Sequence, residues 1–162
     1  MHPNGVLLAK LFTALNDHDH DMMASCYSSD ARFRDIAFHR KGREEIHAMW
    51  RMICHGDIKA TFEVLDADER DGHVHVVDHY TYGRSERPPF AGRHVRNEIH
   101  SRFLFRDGAI WRHEDDCDPK QWAHSALGYG LAGFLAGRSR LLRSYKAKGK
   151  LRRFVRTAGG SA

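Results

Sequence analysis

Residues 57 to 118 constrain this chain most. The stretches "DIKATFEVLDAD", "HVHVVDHYTYG", residues 94 to 106 and residues 109 to 117 alternate apolar and polar side chains, the period of a half-buried strand. Turn signals separate them at Arg70-Asp71-Gly72, around Pro88-Pro89, and at Asp107-Gly108. Strands joined this way run in antiparallel succession and share an apolar face, which needs a cover. The cover lies upstream. "GVLLAKLFTALNDHDHDMMASCYSSD" carries Leu7, Leu8, Leu11, Phe12 and Leu15 at helical spacing. Met22, Met23, Cys26 and Tyr27 follow as a second helical set, beyond a polar break at Asn16 to Asp21. "ARFRDIAF" then alternates as a short strand, and "GREEIHAMWRMICH" sets Ile46, Met49, Trp50 and Ile53 on one helix face. The expected fold is α+β, a curved antiparallel sheet wrapped around N-terminal helices, with a pocket between the layers.

The 162 residues divide into a core-forming domain over 1–120, a helical basic extension over 121–156 and a disordered tail over 157–162. No apolar run approaches the roughly 20 residues of a membrane span. The N-terminal "MHPNGVLLAKLF" lacks the apolar stretch of a signal peptide, so a cytoplasmic protein is expected. Cys26, Cys54 and Cys117 cannot all pair, and none sits in a CxxC, which points to reduced thiols. The formal charge of +5 is unevenly spread. Nine of the 26 Lys and Arg residues fall in "RSRLLRSYKAKGKLRRFVR", residues 138 to 156, which holds no acid, so the rest of the chain is mildly acidic. That argues against nucleic-acid binding by the folded body. The extension is left as a solvated face or a contact for an anionic membrane surface or nucleic acid.

"ALNDHDHDMMASCYSSDARFRDIAF", "GREEIHAMW" and "FLFRDGAIWRHEDDCD" together resemble the NTF2-like superfamily, in its SnoaL-like and ketosteroid-isomerase-like branch. The resemblance covers roughly residues 5 to 118. It implies a cone-shaped α+β barrel, usually a homodimer, whose interior takes a small, largely apolar molecule. It also places Asp35 where ketosteroid isomerases keep their general base. The positions of their oxyanion donors hold Leu11 and Ser101 here, so isomerisation by that constellation is not expected. In limonene-epoxide-hydrolase-like members, an acid at the place of Asp115 works with an Arg and a second Asp. Asp78 matches that second Asp, but Val76 stands where the Arg would be.

The closing strand gathers Glu114, Asp115, Asp116 and Asp118 within five positions. Alternation puts Trp111, His113, Asp115 and Cys117 on one face and Ile110, Arg112, Glu114, Asp116 and Asp118 on the other. The resemblance turns the first set inward. His113 beside Asp115 suits proton transfer near neutrality, and Tyr80, on the face of Asp78, can donate to a ligand oxygen. The expected catalytic residues are Asp35, Asp115 and His113. The expected ligand contacts are Tyr80, Asp78, Trp50, Trp111, Ser101, Phe103 and Cys117. No cofactor and no metal is expected. The histidines of "HDHD", at 18 to 21, are two apart and do not face together on a helix. His73 and His75 share a strand face, but spacing reveals no third ligand. The function expected is cofactor-independent acid/base catalysis on a small molecule, of isomerase, cyclase, dehydratase or epoxide-hydrolase type. The alternative is a non-catalytic ligand-binding or dimerisation module.

Overall fold

The computed structural model describes residues 2–83 and 92–158. The turn expected around Pro88-Pro89 and residues 159–162 of the tail lie outside them. In chain order the elements are α1 (Pro3–Asn16), α2 (His20–Ser25), β1 (Tyr27–Arg34), β2 (His39–Lys41), α3 (Arg43–Cys54), β3 (Lys59–Ala67) and β4 (Asp71–Tyr82). They continue with β5 (Arg93–Arg106), β6 (Ala109–Asp116), α4 (Pro119–Leu127), α5 (Leu131–Arg138) and α6 (Arg140–Ala158).

Strands β3 to β6 run in the expected antiparallel succession, inside a six-stranded sheet ordered β2-β1-β6-β5-β4-β3. The β5–β6 turn has positive φ at Asp107 (53°) and Gly108 (72°), as the tight hairpin of an Asp-Gly pair requires. The first strand adds what local periodicity could not supply: β1 pairs parallel with β6 and antiparallel with β2. The sheet is therefore mixed, and it does not close. Leu8, Leu11, Phe12 and Leu15 of α1 and Ile46, Met49 and Trp50 of α3 pack into one core with Val74, Val76, Phe103 and Ile110 of the sheet. That is the curved sheet around N-terminal helices that the alternation demanded.

Several boundaries differ from expectation. β1 begins at Tyr27, inside the stretch read as the second helix, and ends at Arg34, before the end of "ARFRDIAF". Pairing of Tyr27 with Ile110, and of the Ile110 N–H with the Cys26 carbonyl (2.9 Å), draws the chain into the sheet early. Asp35 turns it out again: its Oδ1 accepts the backbone N–H groups of Ala37 and Phe38, and its own N–H donates to the Phe38 carbonyl. The extension is not one long helix. It breaks at Gly128, whose φ is +81°, and at Ser139. A Cβ on Gly133 would lie 1.9 Å from the Gly128 carbonyl oxygen, so α5 packs its bare backbone on the turn that ends α4. α6 continues to Ala158, into the segment expected to be disordered. Leu151 of α6 joins the main core, while Ala123, Ala126 and Leu127 of α4 bury Val95 of β5. Among the described residues, no helix is long and apolar enough to cross a membrane.

Candidate functional site

The face of β6 is set by a bulge. The β5–β6 register slips between Leu104 and Phe105, so that Arg112 opposes Leu104 while Ile110 opposes Phe105. The slip leaves Trp111 as the extra residue. Ile110 and His113, three apart, are both fully buried. Trp111 leaves that face, and the Arg106 guanidinium lies over its ring at 5.4 Å. Strict alternation thus misplaces Ile110 and Trp111 but holds for His113 and Asp115 beyond the bulge. Of the other acids, Asp118 caps α4 by accepting from Lys120 N and Gln121 N, Glu114 pairs with Arg112 at 2.7 Å, and Asp116 is exposed.

Inward, the sheet carries a directed chain of polar groups. Trp50 Nε1 donates to Tyr27 Oη (3.2 Å), Tyr27 Oη meets His113 Nδ1 (2.8 Å), and His113 Nε2 meets Asp115 Oδ1 (2.7 Å). An indole N–H can only donate, so Tyr27 Oη accepts from Trp50 and sends its own proton to His113 Nδ1. The His113 proton then sits on Nε2 and points at Asp115. Ser101 Oγ, directly across on β5, donates to the same carboxylate oxygen at 2.5 Å. Phe103 and Phe33 wall the imidazole, with ring centroids 4.2 and 4.9 Å away. Burial holds the Tyr27 phenol far above its ordinary range, so it stays a neutral link.

Two further carboxyls face this network, and both are shifted. Desolvation pushes Asp35 up to about 6, against the pull of its two backbone donors and with the charge of Asp115 adding to the rise. Asp78, across the sheet on β4, is pushed up to about 7, first by burial and then by Asp115. Its Oδ1 is buried and has no hydrogen-bond partner among the described residues. Tyr80, next on that face, accepts from Trp122 Nε1 at 2.7 Å, which leaves its own proton to donate elsewhere. Burial raises that phenol too, and it pushes the Cys117 thiol up to about 12.

The structure therefore brings together Asp35, Asp78, Tyr80, Ser101, Phe103, His113, Asp115, Trp50 and Cys117, and leaves Trp111 apart. Sequence reasoning overlooked Tyr27, assigned there to a helix, and Trp122. It also overlooked Arg143 of α6, which is buried and donates to the carbonyls of Ile36, Ala136 and Gly137. Nothing in "RSRLLRSYK" marks Arg143 among its neighbours, whereas Tyr27 stands in "YSSDARFRDIAF", part of the stretch that carries the family resemblance. Two recesses, of about 430 and 300 Å³, open on the helical side, and neither is lined by Asp35, Asp78, His113 or Asp115. His73 and His75 lie on the outer sheet face, paired with Asp66 (2.8 Å) and Glu98 (2.9 Å).

A sequence profile of the SnoaL-like domain matches residues 8–113, about two thirds of the chain. The chain belongs to the SnoaL-like family. Solved structures agree on the fold. An NTF2-like protein of Burkholderia pseudomallei K96243 superposes with a TM-score of 0.66 at 15% identity, covering 78% of this chain and 99% of its own. A candidate polyketide cyclase of Xanthomonas campestris pv. campestris gives 0.62 at 20% identity, covering 70% and 88%. An LEH-like epoxide hydrolase of M. tuberculosis gives 0.61 at 16% identity, covering 77% and 90%. No curated protein matches in sequence. The SnoaL-like profile ends at His113, so Asp115 and the three C-terminal helices lie beyond the matched segment.

Proposed function

We propose that this SnoaL-like chain binds a small, largely apolar molecule against the inner face of its sheet and performs acid/base chemistry on it without a cofactor. The observation that carries the reading is Asp78, a buried carboxyl with an unpartnered oxygen, pushed up to about 7. A group half protonated at neutral pH, with no partner among the described residues, is suited to donate a proton to a substrate oxygen. Tyr80 is the second donor. Asp35, with one oxygen held by backbone N–H groups, and Asp115, at the receiving end of the Trp50–Tyr27–His113 chain, are the bases. Donor and acceptor on one apolar wall serve isomerisation, cyclisation, dehydration and epoxide opening alike. The epoxide hydrolase and candidate cyclase among the structural neighbours agree with that class. Val76 stands at the place of the bridging Arg of the limonene-epoxide type, and Arg143 does not replace it, because its guanidinium is committed to three backbone carbonyls.

The test is turnover of cyclohexene oxide and of a β,γ-unsaturated cyclic ketone by wild type, Asp35→Asn and Asp115→Asn. Loss of turnover in either variant, with the circular dichroism spectrum kept, is expected. With Asp35 as base and Asp78 as acid, activity rises with pH through about 6 and falls through about 7, giving a narrow bell. Unchanged rates in both variants end the assignment.

A second reading draws on the same network. The chain from Trp50 to Asp115 satisfies its own donors, as a polar core without catalytic duty does. As a binding or dimerisation module, the protein gains thermal stability from ligand and turns over neither substrate. We also propose a cytoplasmic homodimer, following the SnoaL-like resemblance, checked by light scattering and by cell fractionation. The cationic α6 is the candidate contact for anionic lipid, and vesicle sedimentation at low salt, with and without residues 138 to 162, tests it.

A further inference from the structure

We propose that His20, Asp21 and His47 form a binding site for a divalent transition-metal ion, of the zinc class, bridging α2 and α3. His20 Nδ1 lies 2.9 Å from His47 Nε2 and 3.3 Å from Asp21 Oδ1, and His47 Nε2 lies 2.9 Å from the same carboxylate oxygen. Three potential ligand atoms thus lie within 3.3 Å of one another. Two imidazole nitrogens at that separation need a proton between them, because facing lone pairs repel. A dication replaces that proton and satisfies all three acceptors together.

The geometry admits an ion. A triangle with these edges has a point about 2.05 Å from every corner, roughly 1 Å off its plane, and that is the Zn–N and Zn–O bond length. The angles subtended there, about 90 to 110°, are those of one face of a tetrahedron or octahedron, with the remaining positions open. Two imidazoles and a carboxylate favour Zn, Co, Ni or Fe over Mg or Ca, which prefer all-oxygen sites. The two imidazoles are about one-third exposed, so an ion can enter.

The surroundings fit a bound ion with water. A recess of about 300 Å³ is lined by Asp21 and His47 together with Ser25, Arg43 and Glu44, while His20 borders the larger recess. Glu44 precedes His47 by three residues on α3, hence on the same side of the helix, and offers a second carboxylate. Arg43 opposes a cation by its charge, and its Nη1 reaches toward the Tyr27 carbonyl at 3.5 Å. The histidines of "HDHD" indeed do not act together: His18 turns to the Ile58 carbonyl (2.8 Å), while His20 pairs with its neighbour Asp21 and with His47, 27 residues away. Spacing along the chain shows neither pairing.

The experiment titrates full-length protein with ZnCl₂ against a chromophoric chelator and follows the imidazole ¹⁵N shifts by NMR. One zinc per chain is expected, with the His20 Nδ1 and His47 Nε2 resonances moving. His20→Gln and His47→Gln, at partly exposed positions, should each weaken binding more than about a hundredfold, beyond the range for an outer-sphere partner. Asp21→Asn should also weaken it. His73→Gln, which alters a second cluster of histidine and acids on the outer sheet face, should leave binding unchanged. Equal affinity and stoichiometry in wild type, His20→Gln and His47→Gln would overturn the proposal. So would zinc spread evenly over the surface histidines.

Discussion

Replacing Asp78 by Asn removes one titration and little else, which makes it a sharp test of the buried carboxyl. An ordinary aspartate titrates near 3.8 and Asp78 near 7. Between those values the folded state keeps a proton that the unfolded chain has released. Stability contributed by the protonated carboxyl is whole below about pH 4 and lost as pH rises toward 7. Each pH unit in that window is worth about 1.4 kcal/mol, so the full effect is about 4 kcal/mol. The Asn side chain carries no such dependence, and Asp35 titrates in both proteins, so its contribution largely cancels. The stability of Asp78→Asn relative to wild type should therefore climb by about 1.4 kcal/mol per unit from about pH 4.5 to 6.5, then level off above about 7.5. Any fixed cost of burying the amide shifts the curve without tilting it. Urea unfolding at half-unit pH steps, followed by tryptophan fluorescence, measures the tilt. Parallel stability curves for the two proteins between pH 5 and 8 would refute the argument that Asp78 is a buried, uncompensated acid.

Tyr27→Phe removes the link between Trp50 and His113 and strands two buried nitrogens, at a cost of about 2–4 kcal/mol in urea unfolding; a loss below about 0.5 kcal/mol would deny the chain its structural weight. Arg143→Met leaves the carbonyls of Ile36, Ala136 and Gly137 without their donor. A loss of about 2–3 kcal/mol is expected, with faster amide exchange across α5 and α6. Unchanged exchange there would mean that other contacts hold the extension.

The sheet succession was legible because alternation, Asp-Gly turns and helical spacing are local and agree with one another. The same holds for the core faces of α1 and α3. His113 and Asp115 were found by counting along β6 only because both lie beyond the bulge; Trp111, at the bulge, was misplaced by the same count. A bulge is a property of two strands in register, and one strand's sequence does not announce it. Tyr27 was lost for a related reason. Its helical spacing from Met23 competed with pairing to Ile110, and the long-range hydrogen bond won.

By itself, then, the order of residues determined the helices α1 and α3, the succession of strands β3 to β6, and that an apolar sheet face would be covered by the N-terminal helices. Those outcomes follow from side-chain period and backbone sterics within a few residues. Only the tertiary structure decided the parallel pairing of β1 with β6, the orphaned oxygen of Asp78 and the meeting of His20 with His47. It also decided the burial of Arg143 beneath α5. Each of these depends on desolvation or on hydrogen bonds between groups far apart in the chain, whose energies exist only once the intervening loops have closed.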